Sequence, residues 1–178
     1  MVLALVAGFW LGTASEDRGA ATSALPLSPA RGTPPPLTGS MRDQADRLFE
    51  RIMQARSRGD REEMEFFLPM ALQAYQSIDE LDADGLFHLG LLQLEDGRTA
   101  EARETAERIR AGDAHHLFGA ALEAEAALAA GDSAAARAAF SRFLASFDEQ
   151  LARGLPEYEM HRPALDEYRA QAVGLRAG

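Results

Sequence analysis

The sequence contains no cysteine. That excludes disulfide scaffolds, iron–sulfur clusters, thiolate zinc sites and cysteine nucleophiles, while leaving the redox compartment open. It contains no lysine either: all 18 basic residues are arginine. Schiff-base chemistry and P-loop phosphate binding through lysine are therefore excluded. No GxSxG, GxGxxG, HExxH or EF-hand pattern occurs, and serine and threonine concentrate in the linker and helix caps rather than beside a histidine, so nothing supports an enzyme. There is no basic cluster. Acids outnumber bases 28 to 18, giving a net charge of −10, which makes nucleic acid a poor partner. β-branched residues are scarce, so strands are not expected.

What is present falls into three zones. Residues 1–14 hold the uncharged run Val2–Leu11. It is shorter than the roughly 20 residues a bilayer core needs, yet it fits a signal-peptide core. No basic residue precedes it. Gly12 and Ala14 are spaced like a cleavage site, and Glu16 and Asp17 follow as an extracytoplasmic flank would. A secretory signal, part of a membrane anchor and a buried N-terminal helix all remain open. Residues 15–40 hold five of the eight prolines and cannot bury enough apolar surface to offset ordering. They read as a flexible spacer, with Pro34-Pro35-Pro36 favouring polyproline II; a proline-motif ligand is the alternative. Residues 41–178 carry the whole net charge. Helix formers dominate there, and turns are signalled at Gly59-Asp60, Gly97-Arg98, Gly112-Asp113, Gly131-Asp132 and Gly154-Leu155-Pro156. Asp43, Asp60, Thr99, Asp113 and Ser133 are the expected N-caps.

Gly97 and Gly131 stand 34 residues apart, and Gly97–Arg103 aligns with Gly131–Arg137. A small residue precedes each glycine by seven positions (Gly90, Ala124), and an alanine follows by five (Ala102, Ala136). Ala106 and Phe140 come four further on. Small residues at these places let paired helices approach closely, while Leu86, Leu89, Ile109, Leu117, Phe140 and Phe143 fill the space between pairs. A looser copy upstream uses Leu48, Ile52, Gly59, Met64, Leu68 and Ala71, with Pro69 expected to kink its second helix. This pattern resembles the tetratricopeptide repeat, a 34-residue helix–turn–helix unit. The resemblance implies an all-α fold: a short right-handed solenoid of repeats at about 45–82, 83–116 and 117–150. Tyr158, His161, Leu165, Tyr168, Ala172 and Leu175 mark one apolar face of a capping helix at about 156–175, in which Pro163 marks a break or kink.

In that family the first helices of successive repeats line a groove for a protein or peptide. The matching positions here are Asp46, Phe49, Met53 and Arg56; Asp84, Phe87, Leu91, Leu94 and Glu95; and Phe118, Ala121, Glu125 and Leu128. Of these, Phe49, Met53, Phe87, Leu91, Leu94, Phe118, Glu125 and Leu128 are the candidate partner-binding residues. Such a lining lacks the lysines and asparagines of a carboxylate clamp and suits an apolar peptide or helix. The expected function is thus a non-catalytic interaction module, membrane-anchored or exported. Its repeat domain would be extracytoplasmic, and periplasmic if the source is a Gram-negative bacterium. The alternative is a self-associating structural module whose groove is covered by its own cap or by a second copy. Leu91→Asp separates a binding groove, which loses its partner, from a core, which unfolds. No cofactor is expected. Adjacent His115 and His116 cannot face one metal from one helix face, and His88 and His161 read as ordinary helix residues, so no metal ligand is assigned. Glu62, Glu63 and Glu65 read as a solvated helix face.

Overall fold

The structure, a computed structural model, describes residues 39–177. The apolar segment expected over residues 1–14 and nearly all of the proline-rich stretch lie outside the described residues. The described chain is all-α, with eight helices and no strand: α1 (Met41–Arg58), α2 (Arg61–Gln76), α3 (Ala83–Glu95), α4 (Thr99–Gly112), α5 (Leu117–Ala129), α6 (Ser133–Ala152), α7 (Pro156–Met160) and α8 (Arg162–Ala177). None of these helices is long and apolar enough to cross a membrane.

Short turns fold α1 onto α2, α3 onto α4 and α5 onto α6. The same closure recurs in all three. Gly59, Gly97 and Gly131 adopt positive φ (71°, 75° and 75°), a backbone conformation open to glycine at little cost. In each turn the glycine N–H bonds a carbonyl three residues back, and the next N–H bonds one five back: Asp60 to Ala55, Arg98 to Gln93 and Asp132 to Ala127, at 2.8–2.9 Å. These bonds satisfy carbonyls that the helix end leaves free.

Helix starts differ from expectation at four of five places. Ser40, not Asp43, caps α1; Asp43 sits at the third helical position and completes a reciprocal capping box. Asp60 caps α2 as expected. Thr99 lies inside α4, whose cap residue Arg98 offers no side-chain bond. Asp113 ends α4 rather than starting α5, which His116 caps through Nδ1. Asp132 caps α6 one residue before Ser133. At α1, α5 and α6 a nearby polar residue (Ser40, His116 and Asp132) is the one whose side chain accepts a free amide, whereas α4 starts without a side-chain cap.

The first helices α1, α3 and α5 lie side by side. One apolar cluster joins α1, α2 and α3 through Phe49, Ile52, Phe67, Leu72, Tyr75 and Leu92. Another joins α3, α4, α5 and α6 to the C-terminal segment through Phe87, Ile109, Phe118, Phe143, Tyr158 and Leu165. A third, smaller one joins Ala124 and Phe140 to Ala172 of α8. Ala102, Ala124 and Ala136 are fully enclosed at helix crossings. Gly90 serves a different contact from the one its spacing suggested. A Cβ there would lie 2.1 Å from Leu122 Cδ2, so the missing side chain makes room for a residue of the next hairpin rather than for its own partner helix.

The C-terminal segment consists of two helices, not one. The chain breaks at His161, between α7 and α8. Pro163 is the second residue of α8, where a missing N–H costs nothing. α8 packs along α6, and its Tyr168 reaches the rings of Phe87 and Phe143.

Candidate functional site

The inner face formed by α1, α3 and α5 carries the residues picked out as a groove. Phe49, Phe87 and Phe118 are buried; Met53, Leu91, Leu94, Glu125 and Leu128 are half-buried. Phe87 and Phe118 stack with ring centres 4.3 Å apart and planes 10° from parallel. The C-terminal segment closes over them. Tyr158 and His161 meet Phe118 edge-on at 5.5 and 5.3 Å, and His161 and Tyr168 meet Phe87 edge-on at 5.9 and 6.4 Å. Leu91 packs against both large clusters, so an aspartate there would meet core from two sides. Met53 joins the α1–α3 cluster and Leu128 the α8 cluster. Arg56 is exposed and pairs with Glu95 at 2.7 Å.

Glu125 faces Gln171 of α8, whose side-chain amide favours the ionised carboxylate. Burial raises the pKa of its carboxyl above the ordinary glutamate value, and the Gln171 bond and the Arg56 charge offset this only in part.

A polar centre lies at one end of this face. Asp84 and His88 stand one turn apart on α3, and the break after α7 lays His161 against them. His161 Nε2 is 2.8 Å from Asp84 Oδ1 and 3.1 Å from His88 Nε2; His88 Nε2 is 3.6 Å from Asp84 Oδ1. The surroundings fix the orientation of each group. Phe49 stacks on the His88 ring at 3.9 Å. Arg42 of α1 binds Asp46, Asp82 and the outer oxygen of Asp84. It can lie there because residue 85 is glycine: a Cβ would come within 2.7 Å of Arg42 Nη1.

The proton positions follow from the neighbours. Burial alone would raise Asp46, but hydrogen bonds from His88, Tyr75 and Arg42 outweigh it and hold the carboxyl well below its usual range. Asp46 is therefore an acceptor only. Burial and the adjacent Asp46 raise the Tyr75 phenol, so it keeps its proton and donates it to Asp46 Oδ1 at 2.5 Å. The Tyr75 oxygen, 2.9 Å from His88 Nδ1, is then an acceptor. His88 Nδ1 consequently carries a proton and donates it, and its Nε2 faces His161. Asp84 is likewise ionised: burial raises it, but the His161 bond and the charges around it lower it further.

Burial favours the neutral form of His116. His116, between Phe118 and Tyr158, is lowered chiefly by burial, with Glu157 and Asp113 opposing. The phenol of Tyr158, pushed up to about 12 chiefly by burial, accepts the Leu117 N–H and donates to Gln150, both at 3.1 Å. That bond ties α7 to the starts of α5 and the end of α6. Elsewhere, a surface hollow of about 400 Å³ on the α1–α2 hairpin is lined by Arg47, Glu50, Arg51, Gln54, Arg58 and Glu63. Glu63 there already engages Arg51 and Arg58.

The sequence pattern places Asp46 and Asp84 on the inner face but reads His88 and His161 as ordinary helix residues. One signal was available: Asp84 and His88, at i and i+4, share one side of a helix. His161 is 73 residues away in sequence, and no local pattern links it to them. No family model, curated protein or solved structure matches this chain.

Proposed function

We propose that this chain is a non-catalytic protein-interaction module of the tetratricopeptide-repeat type, a short right-handed solenoid whose helix-binding inner face is closed by its own C-terminal segment. The observation that carries this reading is the Phe87–Phe118 stack on the inner face, covered by Tyr158, His161 and Tyr168. An inner face that accommodates an amphipathic helix of its own chain has the chemistry to accept one from a partner. The recurring glycine turn supports the repeat assignment. Anchoring or export, with the repeat domain extracytoplasmic, belongs to the same proposal and rests on residues 1–14. An alkali-washed membrane fraction and an exported fraction that both lack the protein would exclude it.

A partner helix must displace α8 to reach this face. Because the chain has no native cysteine, the displacement can be blocked cleanly. Glu125→Cys and Gln171→Cys, bridged by a short bis-maleimide in the full chain, lock α8 in place. The locked chain should lose proteins that the unbridged double variant still co-purifies from native cells. Equal capture by both would show that the inner face is not the docking surface. Recovery of only a second copy of the chain would favour self-association.

A further inference from the structure

We propose that Asp84, His88 and His161 form a binding site for one divalent transition-metal ion, with zinc the best fit. Two imidazole nitrogens and a carboxylate oxygen converge from α3 and from the α7–α8 break, separated by 2.8, 3.1 and 3.6 Å. Ligands about 2.0–2.2 Å from a tetrahedral zinc ion lie about 3.3 Å from one another. The three atoms thus stand at separations close to those of such a coordination shell. Two nitrogens and one oxygen suit zinc or its first-row neighbours. They do not suit calcium or magnesium, which take oxygen ligands.

The groups behind these ligands point to the same conclusion. His88 donates Nδ1–H towards Tyr75 and Asp46, the arrangement that orients a metal-bound imidazole and leaves Nε2 free to coordinate. The outer oxygen of Asp84 is held by Arg42, so the inner one keeps its direction. Charge favours a cation as well. Asp46, Asp82 and Asp84 surround the single guanidinium of Arg42, leaving an excess of two negative charges that a divalent ion balances. The Asp84 and His88 side chains are only 11% and 9% exposed, whereas that of His161 is 20% exposed. The ion would therefore enter past His161, and its fourth position, on that side, would hold water. Binding ties the cap to α3 across the inner face.

The test uses the tag-free full chain, stripped with chelator and titrated with zinc chloride by calorimetry. Visible absorption of bound cobalt(II) reports the geometry. One ion per chain should bind, and the thermal midpoint should rise with free zinc. Asp46→Asn should weaken binding by about 10–100-fold, as loss of an outer partner does, and His161→Gln by more than that. His115→Gln should leave binding unchanged. His161→Gln is decisive because His161 is partly exposed in a helix break, and circular dichroism checks that the fold is kept. The absence of one-to-one zinc binding in the native chain, or zinc binding unaffected by His161→Gln in a folded variant, overturns the proposal.

Discussion

Gly90 and His88 lie two residues apart on α3 and show how much a single position can decide. The space beside Gly90 belongs to Leu122, which is fully buried. Gly90→Ala gains helix propensity, but its Cβ would come within 2.1 Å of Leu122 Cδ2. Overpacking should outweigh propensity, for a net loss of about 1–3 kcal/mol, measurable by urea denaturation. A variant as stable as the native chain would mean that α3 and α5 are less closely packed than described. The small residue itself was legible from its spacing before Gly97; what it faces was not, because a repeat pattern gives position within a unit and not contacts between units. His88 shows the converse. Its spacing from Asp84 was readable, but the meaning of that spacing depends on His161, and nothing local in the sequence predicts that meeting.

Helices and the glycine turns that close them are more legible than their starts or their faces. The scarcity of β-branched residues and the regular glycines gave the all-α character, and Gly59, Gly97, Gly131 and Gly154 all adopt positive φ. Gly112 does not; it ends α4 inside the helix, and Asp113–His116 make the turn. Two predictions concern how the C-terminal helices attach. Tyr158→Phe keeps the ring but removes the acceptor of the Leu117 N–H. Leaving that buried amide unpaired should cost about 1–3 kcal/mol, read by chemical denaturation; no loss would mean that the amide finds another partner. The second concerns Glu125, whose folded pKa is raised above the model-peptide value of 4.5. The folded chain then holds this proton more tightly than the unfolded one. The contribution to stability is complete below pH 4.5 and is lost as pH rises through the folded pKa. Glu125→Gln keeps a partner for Gln171 without the charge. It should melt higher than the native chain at pH 7, with the difference shrinking towards pH 4. A lower melting point at pH 7 would show that the ionised carboxylate is stabilising.

At the scale of the whole molecule, three hairpins present one shared face, and the last 20 or so residues fold back over it through Tyr158, His161, Leu165, Tyr168 and Ala172. The apolar spacing of those residues was plain in the sequence. Their destination was not, because an amphipathic stripe states that a helix has an apolar neighbour without naming which. The reading as a closed interaction module and the reading of the polar centre as a metal site both require that His161 reach Phe118 and His88 within one chain. The most direct measurement is a nuclear Overhauser experiment on the full chain, between the His161 ring protons and the ring of Phe118, whose centres lie 5.3 Å apart. The account predicts cross-peaks that persist when labelled chain is diluted with unlabelled chain. Cross-peaks that are absent, or that arise only between labelled and unlabelled copies, would contradict it.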